Sequence, residues 1–316
     1  MLFHESVWLE HLERTQGGKR VLVMIRDGDR ELGYFCGVVV RKGPFRVLGS
    51  PLRGWWTPLM GPVINEFDAA KFLFALDQFC RGQNIQYVEL CSPLFQASLM
   101  ESAGYVADKY KTHIMQILSP DKMWRRMATN ARGHIRQAEK KGISIEVAED
   151  ISVMDEYYAQ LKAVFARRAL TPPHSREIVV DLWNSLKPRN RFLVLRAIHQ
   201  GQSIATFVGA FDEHTLYSLG WASWPEAYPL RPNDLIQWKA MNCAAERGLE
   251  FYDMCGGGDF GVKFGTEVIH RIRWRRALTH SARISYYLYR NYWFGRRQLM
   301  HHFREIVRRH SRGQKA

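Results

Sequence analysis

Between Thr215 and Asp253 the chain reads strand, helix, strand, and this unit restricts the fold more than any other stretch. Thr215 to Ala222 is a β run, Asn233 to about Arg247 a helix stopped by Gly248, and Leu249 to Asp253 a short apolar strand. Two strands joined through a helix pair in parallel within one sheet, because a tight turn cannot bring the second beside the first. Around this crossover the pattern is antiparallel. Arg191 to Ile198 and Ser203 to Phe211 form a hairpin about Gln200, Gly201 and Gln202, and Glu267 to Leu278 is a last long strand.

The earlier half repeats the theme. Strands at Arg20 to Arg26 and Glu31 to Val40 flank an Asp27-Gly28-Asp29 turn, and Pro44 to Leu48 leads into a loop dense in Pro, Gly and Trp. A helix carries Phe72, Leu73, Leu76, Phe79 and Cys80 on one stripe, and then come a strand (Tyr87 to Cys91), a helix (Leu94 to Ala103) and a strand (Lys111 to Leu118). Ser119, Pro120 and Asp121 start a helix expected to run to about Lys141. A strand (Ile143 to Ala148) and two helices (Val153 to Ala169, Arg176 to Leu186) complete the series. At about 150 residues per domain, 316 residues make two units. The expected fold is α/β (α+β): two similar lobes, each a mostly antiparallel mixed sheet flanked by helices. The lobes are cut at 1–118 and 119–279, and a basic helical tail follows over 280–316. The shared order suggests a duplication, although no repeat aligns.

Charge narrows the partners. Lys and Arg number 45 against 31 acidic residues, a net +14, which suits an anionic partner. In the tail nine cations from Arg283 to Lys315 face Glu305 alone, interleaved with Tyr286, Tyr287, Tyr289, Tyr292, Trp293 and Phe294. Such a segment is either an interfacial helix for anionic membrane or a helix packed back on the core. A composition 46% hydrophobic and 24% charged excludes disorder. Glu5, Glu10 and Glu13 stand where a signal peptide would be apolar, so a cytoplasmic protein is expected, with peripheral contact at the inner membrane face through the tail. Five cysteines without a C-x-x-C pair indicate neither disulfides nor zinc, and apart from the tail pair His301 and His302 no metal-ligand spacing, and no G-x-S-x-G motif, is present.

Three segments can carry chemistry. Arg132, Arg136 and Lys140 lie at i, i+4 and i+8, which is either a solvated face or an anion clamp. The run from Gly220 to Asp234 leaves a strand and enters a helix, which is either simply well capped or, through free N–H groups at Asn233, Asp234 and Leu235, a site for an anion such as a pyrophosphate. Gly256, Gly257 and Gly258 follow the strand ending at Asp253, and Lys263 sits between glycine turns, with neither P-loop nor G-x-G-x-x-G spacing.

These segments together resemble the GNAT superfamily of acyltransferases, and within it the Fem-like branch. That branch holds the aminoacyl-tRNA-dependent peptidoglycan transferases and the acetyltransferases of cellulose and exopolysaccharide synthesis. The resemblance covers about residues 115 to 278. It rests on Asn130-Ala-Arg132-Gly-His-Ile135-Arg136 through Ile143, on Gly220-Trp-Ala-Ser223, and on Asn233-Asp-Leu235-Ile-Gln-Trp238. Gly248 to Asp253, Gly256-Gly257 and Lys263-Phe264-Gly265 complete it. The resemblance implies an acyl donor, acetyl-CoA or another acyl-CoA and no metal, lying between splayed strands at Thr215 to Ala222 and Leu249 to Asp253. Ser223, Asn233, Asp234, Leu235 and Phe264 would then touch the donor. Lys263 would sit by the acyl group, while Arg132, Arg136 and Lys140 hold an anionic substrate. Lys263-Phe264-Gly265 is compressed relative to the family pattern, and the GNAT pyrophosphate loop before Asn233 is absent.

An amine attacking a thioester or ester must lose a proton while the oxyanion is held. Asp253 and Glu226 are candidate bases or ammonium binders, Lys263 or a strand N–H near Ser223 serves the oxyanion, and Trp221, Tyr228 and Trp238 line the acceptor pocket. Asp253 equally suits a buried structural carboxylate. The function expected is N-acyl transfer to an amine of a cell-envelope or exopolysaccharide precursor, such as a lipid-linked glycan. The alternatives are aminoacyl transfer from tRNA and a non-catalytic membrane or nucleic-acid binding module.

Overall fold

The computed structural model describes residues 1–64, 68–256 and 258–288. After α1 (Ser6–Gln16), the first half contains β1 (Lys19–Asp27), β2 (Arg30–Lys42), β3 (Phe45–Ser50), β4 (Pro62–Ile64), α2 (Ala69–Gly82), β5 (Tyr87–Leu90), α3 (Ala97–Ser102) and β6 (Val106–Gln116). The second contains α4 (Pro120–Arg126), α5 (Thr129–Lys140), β7 (Ser144–Val147), α6 (Val153–Ala166), α7 (Arg176–Leu186), β8 (Phe192–His199), β9 (Gln202–Phe211), β10 (Thr215–Ser223), α8 (Pro232–Glu246), β11 (Phe251–Asp253) and β12 (Glu267–Ala277). This is the mixed α/β, two-lobed architecture that the pattern predicts.

The strands form one continuous sheet in the order β1-β2-β3-β5-β12-β6-β11-β10-β9-β8-β7, with β4 paired to β2. Each lobe has one parallel pair, β3 with β5 and β10 with β11, and the other pairings are antiparallel. The last strand, β12, lies between β5 and β6, and β6 in turn pairs with β11. The chain therefore interleaves at its centre, and a cut after residue 118 passes through a hydrogen-bonded sheet.

Alternate strand residues bury opposite faces. Phe192 and Val194 join Val153, Tyr157 and Leu161 of α6 and Leu182 of α7 in one core. Leu193 and Leu195 join Ile135 of α5 and Leu235, Ile236 and Ala240 of α8 in another. A third core lies under α2, where Phe72, Leu73, Leu76 and Cys80 meet Val88, Leu90 and Trp274. At about 1.5–3 kcal/mol for each large side chain buried, these contacts dominate the stability of the sheet. Asp68 begins α2 by accepting from the backbone of Ala70 and Lys71, both at 3.0 Å.

Besides the short β4, which lies in a stretch read as loop, two helical elements differ from expectation. The helix predicted from Ser119 to about Lys141 is two helices, because Met127 and Ala128 are extended at ψ 147° and 148° and the Ala128 N–H bonds the carbonyl of Lys263 at 2.9 Å. No proline or glycine announces this break, since a tertiary contact makes it. The sequence pattern also assigned nothing before Arg20, whereas α1 buries Val7, Trp8, Leu9 and Leu12 and bonds α7 through His11 and Arg14 to Asp181. The tail begins as helix over 280–288. Residues 289–316, with Tyr289, Tyr292, Trp293, Phe294 and most of the tail arginines, lie outside the described residues, as does Gly257. Among the described residues no helix is long and apolar enough to cross a membrane.

Candidate functional site

β10 and β11 are in register only at Thr215↔Phe251, Leu216↔Tyr252 and Tyr217↔Asp253. Beyond Tyr217, β10 shifts register against β9 between Ser218 and Gly220 and continues to Ser223. The other chain turns off through Met254, whose N–H bonds His113 O at 2.8 Å, and Cys255, held at φ +52°. Gly256 at φ +142° and Gly258 at φ +54° explain why this turn is written in glycine. The strands thus splay, and the β10 edge from Leu219 onward is left by β11, free to pair with an extended ligand.

On the α8 face of this wedge the predicted residues converge. Asn233 Nδ2 donates to Ser223 Oγ at 3.0 Å. Asp234, 3% exposed, accepts from Lys263 Nζ, and His134 Nδ1 stands 3.4 Å from the same oxygen. Lys263 Nζ lies 4.1 Å from the Phe260 ring centroid, and Phe260 stacks between Trp221 at 5.9 Å and Phe264 at 5.3 Å. Leu235 and Phe264 are buried in the core beneath. Gly265, at φ +76°, closes this segment against α4, where an added Cβ would meet Arg126 O at 2.9 Å.

Other predicted residues lie further out. Arg132 Nη1 reaches back to the carbonyls of Trp124, Arg125 and Met127 at 3.1–3.4 Å, so its guanidinium caps α4. Arg136 lies over the Trp124 ring at 5.4 Å, Trp124 packs on Trp238 at 5.3 Å, and Lys140 is exposed. The stripe is therefore split between a cap and a solvated end. Glu226 and Tyr228 are exposed on the turn Pro225–Leu230, with Arg167 over the Tyr228 ring at 5.4 Å.

The opposite face of the wedge carries Asp253, 1% exposed. Its Oδ1 accepts from Thr112 Oγ1 and the Cys255 N–H, both at 2.8 Å, and its Oδ2 from Arg271 at 2.6 Å. Burial opposes the Arg271 charge, but Asp253 outweighs it and holds the guanidinium above its ordinary pKa. Burial pushes the Cys255 thiol well up, which leaves it a poor nucleophile. Nearby, a Cβ on Gly220 would stand 2.4 Å from the Tyr157 hydroxyl and 3.4 Å from Trp56, a residue of the first lobe. His174 packs 4.1 Å from Trp56, and burial lowers its pKa. Sequence reasoning missed His134, Thr112, Arg271, Tyr157 and Trp56. His134 lay inside a quoted motif, but nothing local tied the others to the wedge. A separate cavity of about 740 Å³ lies in the first lobe between β1, β2 and α2.

A splayed parallel pair, bulged on one strand and followed by a helix at its mouth, lies in the part of the chain that a family model covers: residues 125–263 match the model of the acetyltransferase (GNAT) domain. The two-lobed fold as a whole is similar to that of several solved structures. It resembles FemX, at TM-score 0.65 and 12% identity over 86% of this chain and 92% of that one. It also resembles L-PGS from Bacillus licheniformis, at TM-score 0.55 and 12% identity over 89% and 94%. A tandem GNAT protein from the clavulanic acid biosynthesis pathway matches at TM-score 0.54 and 11% identity over 86% and 88%. No curated protein matches the sequence.

Proposed function

We propose that the protein is an N-acyltransferase that uses acetyl-CoA or another acyl-CoA and transfers the acyl group to an amine of a cell-envelope or exopolysaccharide precursor. The observation that carries this reading is the wedge between β10 and β11, with the Lys263–Asp234 pair and the start of α8 at its mouth. The free β10 edge suits the amide-bearing arm of a coenzyme A thioester. Asp234 does not repel the donor's phosphates as a bare charge would, since Lys263 neutralises it; Arg231 caps the start of α8 and Arg167 lies over Tyr228 on the turn before it. Lys263, or an N–H of the free β10 edge, holds the oxyanion as the amine attacks. Among the described residues Glu226 has no partner, which leaves it open to take the amine's proton, whereas Asp253 has both oxygens engaged and acts by fixing the glycine turn.

A second reading, aminoacyl transfer from tRNA, is favoured by the absent pyrophosphate loop and the net charge of +14. Calorimetric titration with acetyl-CoA at two salt concentrations separates the two. Saturable binding that survives moderate salt supports the acyl-CoA reading. No binding, together with salt-sensitive binding of charged tRNA, replaces it with the second.

A further inference from the structure

Among the described residues the sheet ends at β1 on one side and at β7 on the other. An edge strand offers unpaired N–H and C=O groups to any extended chain, and folds blunt it by shortness, charge, proline or cover. β7 follows that rule, with four residues and Glu146 ion-paired to Arg196. β1 does not. Its nine residues span about 30 Å and carry an unbroken apolar run from Val21 to Ile25, in which Leu22 is 66% exposed and Met24 52%. Arg20 gives its N–H to Glu13 at 3.1 Å instead of to β2, so by alternation the backbone groups of Leu22 and Met24 also face the open edge. Charges stand only at the ends of the strand. Lys19 and Asp27 Oδ1 have no partner among the described residues, while Lys71 reaches Asp27 Oδ2 at 3.1 Å. Arg20 is matched by Glu10 and Glu13, and Arg26 by Glu31.

We propose that β1 is the interface of a homodimer, in which the β1 edges of two copies pair antiparallel about a two-fold axis at Val23. The occupant is a second copy because the strand is complementary to itself read backwards. This register sets Lys19 against Asp27 of the second copy at both ends, so each unpartnered charge meets its opposite. Leu22 meets Met24 twice, their outward backbone groups exchanging N–H···O bonds, and Val21 meets Ile25 on the other face. Arg20 faces Arg26, but each already carries a carboxylate and the like charges are neutralised. Moving the axis to Leu22 or to Met24 sets Lys19 against Ile25, or Asp27 against Val21, and loses the match. Five strands, β2, β3, β5, β12 and β6, separate β1 from the wedge. Pairing therefore leaves the wedge open, and the dimer does not depend on the acyl-transfer reading.

The test is sedimentation velocity of the full chain over a concentration series, in which wild type is expected to behave as a reversible dimer. Leu22→Lys places a charge in the apolar contact, and Met24→Pro removes an N–H that points away from β2. Each should weaken the dimer about tenfold or more. Val23→Cys reads the register. In a pair centred on Val23 the two thiols face each other with Cβ atoms about 4.5–5.5 Å apart, and mild oxidation should give a disulfide-linked dimer on non-reducing electrophoresis. Val21→Cys, whose mate lies about 13 Å away along the strand, should not cross-link. Nor should wild type, whose own cysteines are buried or half-buried. A monomer at every concentration, a dimer indifferent to both edge variants, or a Val23→Cys protein that cross-links no faster than Val21→Cys overturns the proposal. Should an edge variant fail to fold, by circular dichroism, the comparison of the two cysteine variants decides alone.

Discussion

Two buried ion pairs flank the wedge, and they are built differently. Asp253–Arg271 is nearly sealed, with side chains 1% and 10% exposed, and its carboxylate is fixed by a threonine, a backbone N–H and the guanidinium. Lys263–Asp234 is looser: the lysine side chain is 17% exposed, lies on aromatic faces and shares its carboxylate with a half-buried histidine. A pair whose two carboxylate oxygens are both hydrogen-bonded can hold a turn in place. A pair with a partly exposed cation at a helix start can trade its partner for a substrate oxygen. Under the proposed function, the first pair is expected to serve structure and the second chemistry.

The sharpest way to break that contrast is Asp253→Asn, which leaves Arg271 buried without its counter-charge. A loss of about 3–5 kcal/mol is expected in denaturant unfolding. Unchanged stability with abolished turnover would instead make Asp253 the base. Lys263→Ala is expected to lower turnover about 100-fold or more while the protein remains folded, measured by steady-state kinetics alongside circular dichroism.

Away from the wedge, Asp181→Asn removes the staple between α1 and α7 and should cost about 1–3 kcal/mol, read as a lowered unfolding midpoint. Acid tests the same staple. Burial alone would raise Asp181, but bonds from His11 and Arg14 outweigh it and hold the carboxyl at about 2, below its ordinary 3.8. Burial likewise lowers His4 from 6.5 to about 4. Both folded values are depressed, so both contributions are complete above the ordinary values. His4's is lost as pH falls from 6.5 toward 4 and Asp181's from 3.8 toward 2. An acid titration of stability should show His4→Gln removing the upper step alone. The smallest effect belongs to Arg136→Gln, on an exposed side chain, where stability should move by no more than about 0.5 kcal/mol.

Much of this was legible in the chain. The βαβ crossover, the hairpin of β8 and β9 and the stripe of α2 are local patterns; the first two formed close to their predicted bounds, and α2 spans the predicted stripe. Lys263, Asp234, Asn233, Ser223, Trp221 and Phe264 were singled out by spacing and resemblance and do meet at one mouth. Arg132 was misread as part of a free stripe, because the break that places carbonyls within its reach depends on Ala128 bonding Lys263, 135 positions away.

What the sequence determines by itself is periodic or adjacent: which faces are apolar, where a glycine ends a helix, and which turn must contain glycine, since these follow from backbone sterics and from water. The tertiary structure alone decided that β12 enters between β5 and β6, that Arg271 neutralises Asp253, and that the first lobe's Trp56 reaches Gly220. Those contacts join residues far apart in the chain. Their energies are realised only once the sheet has closed and water has been removed from between them.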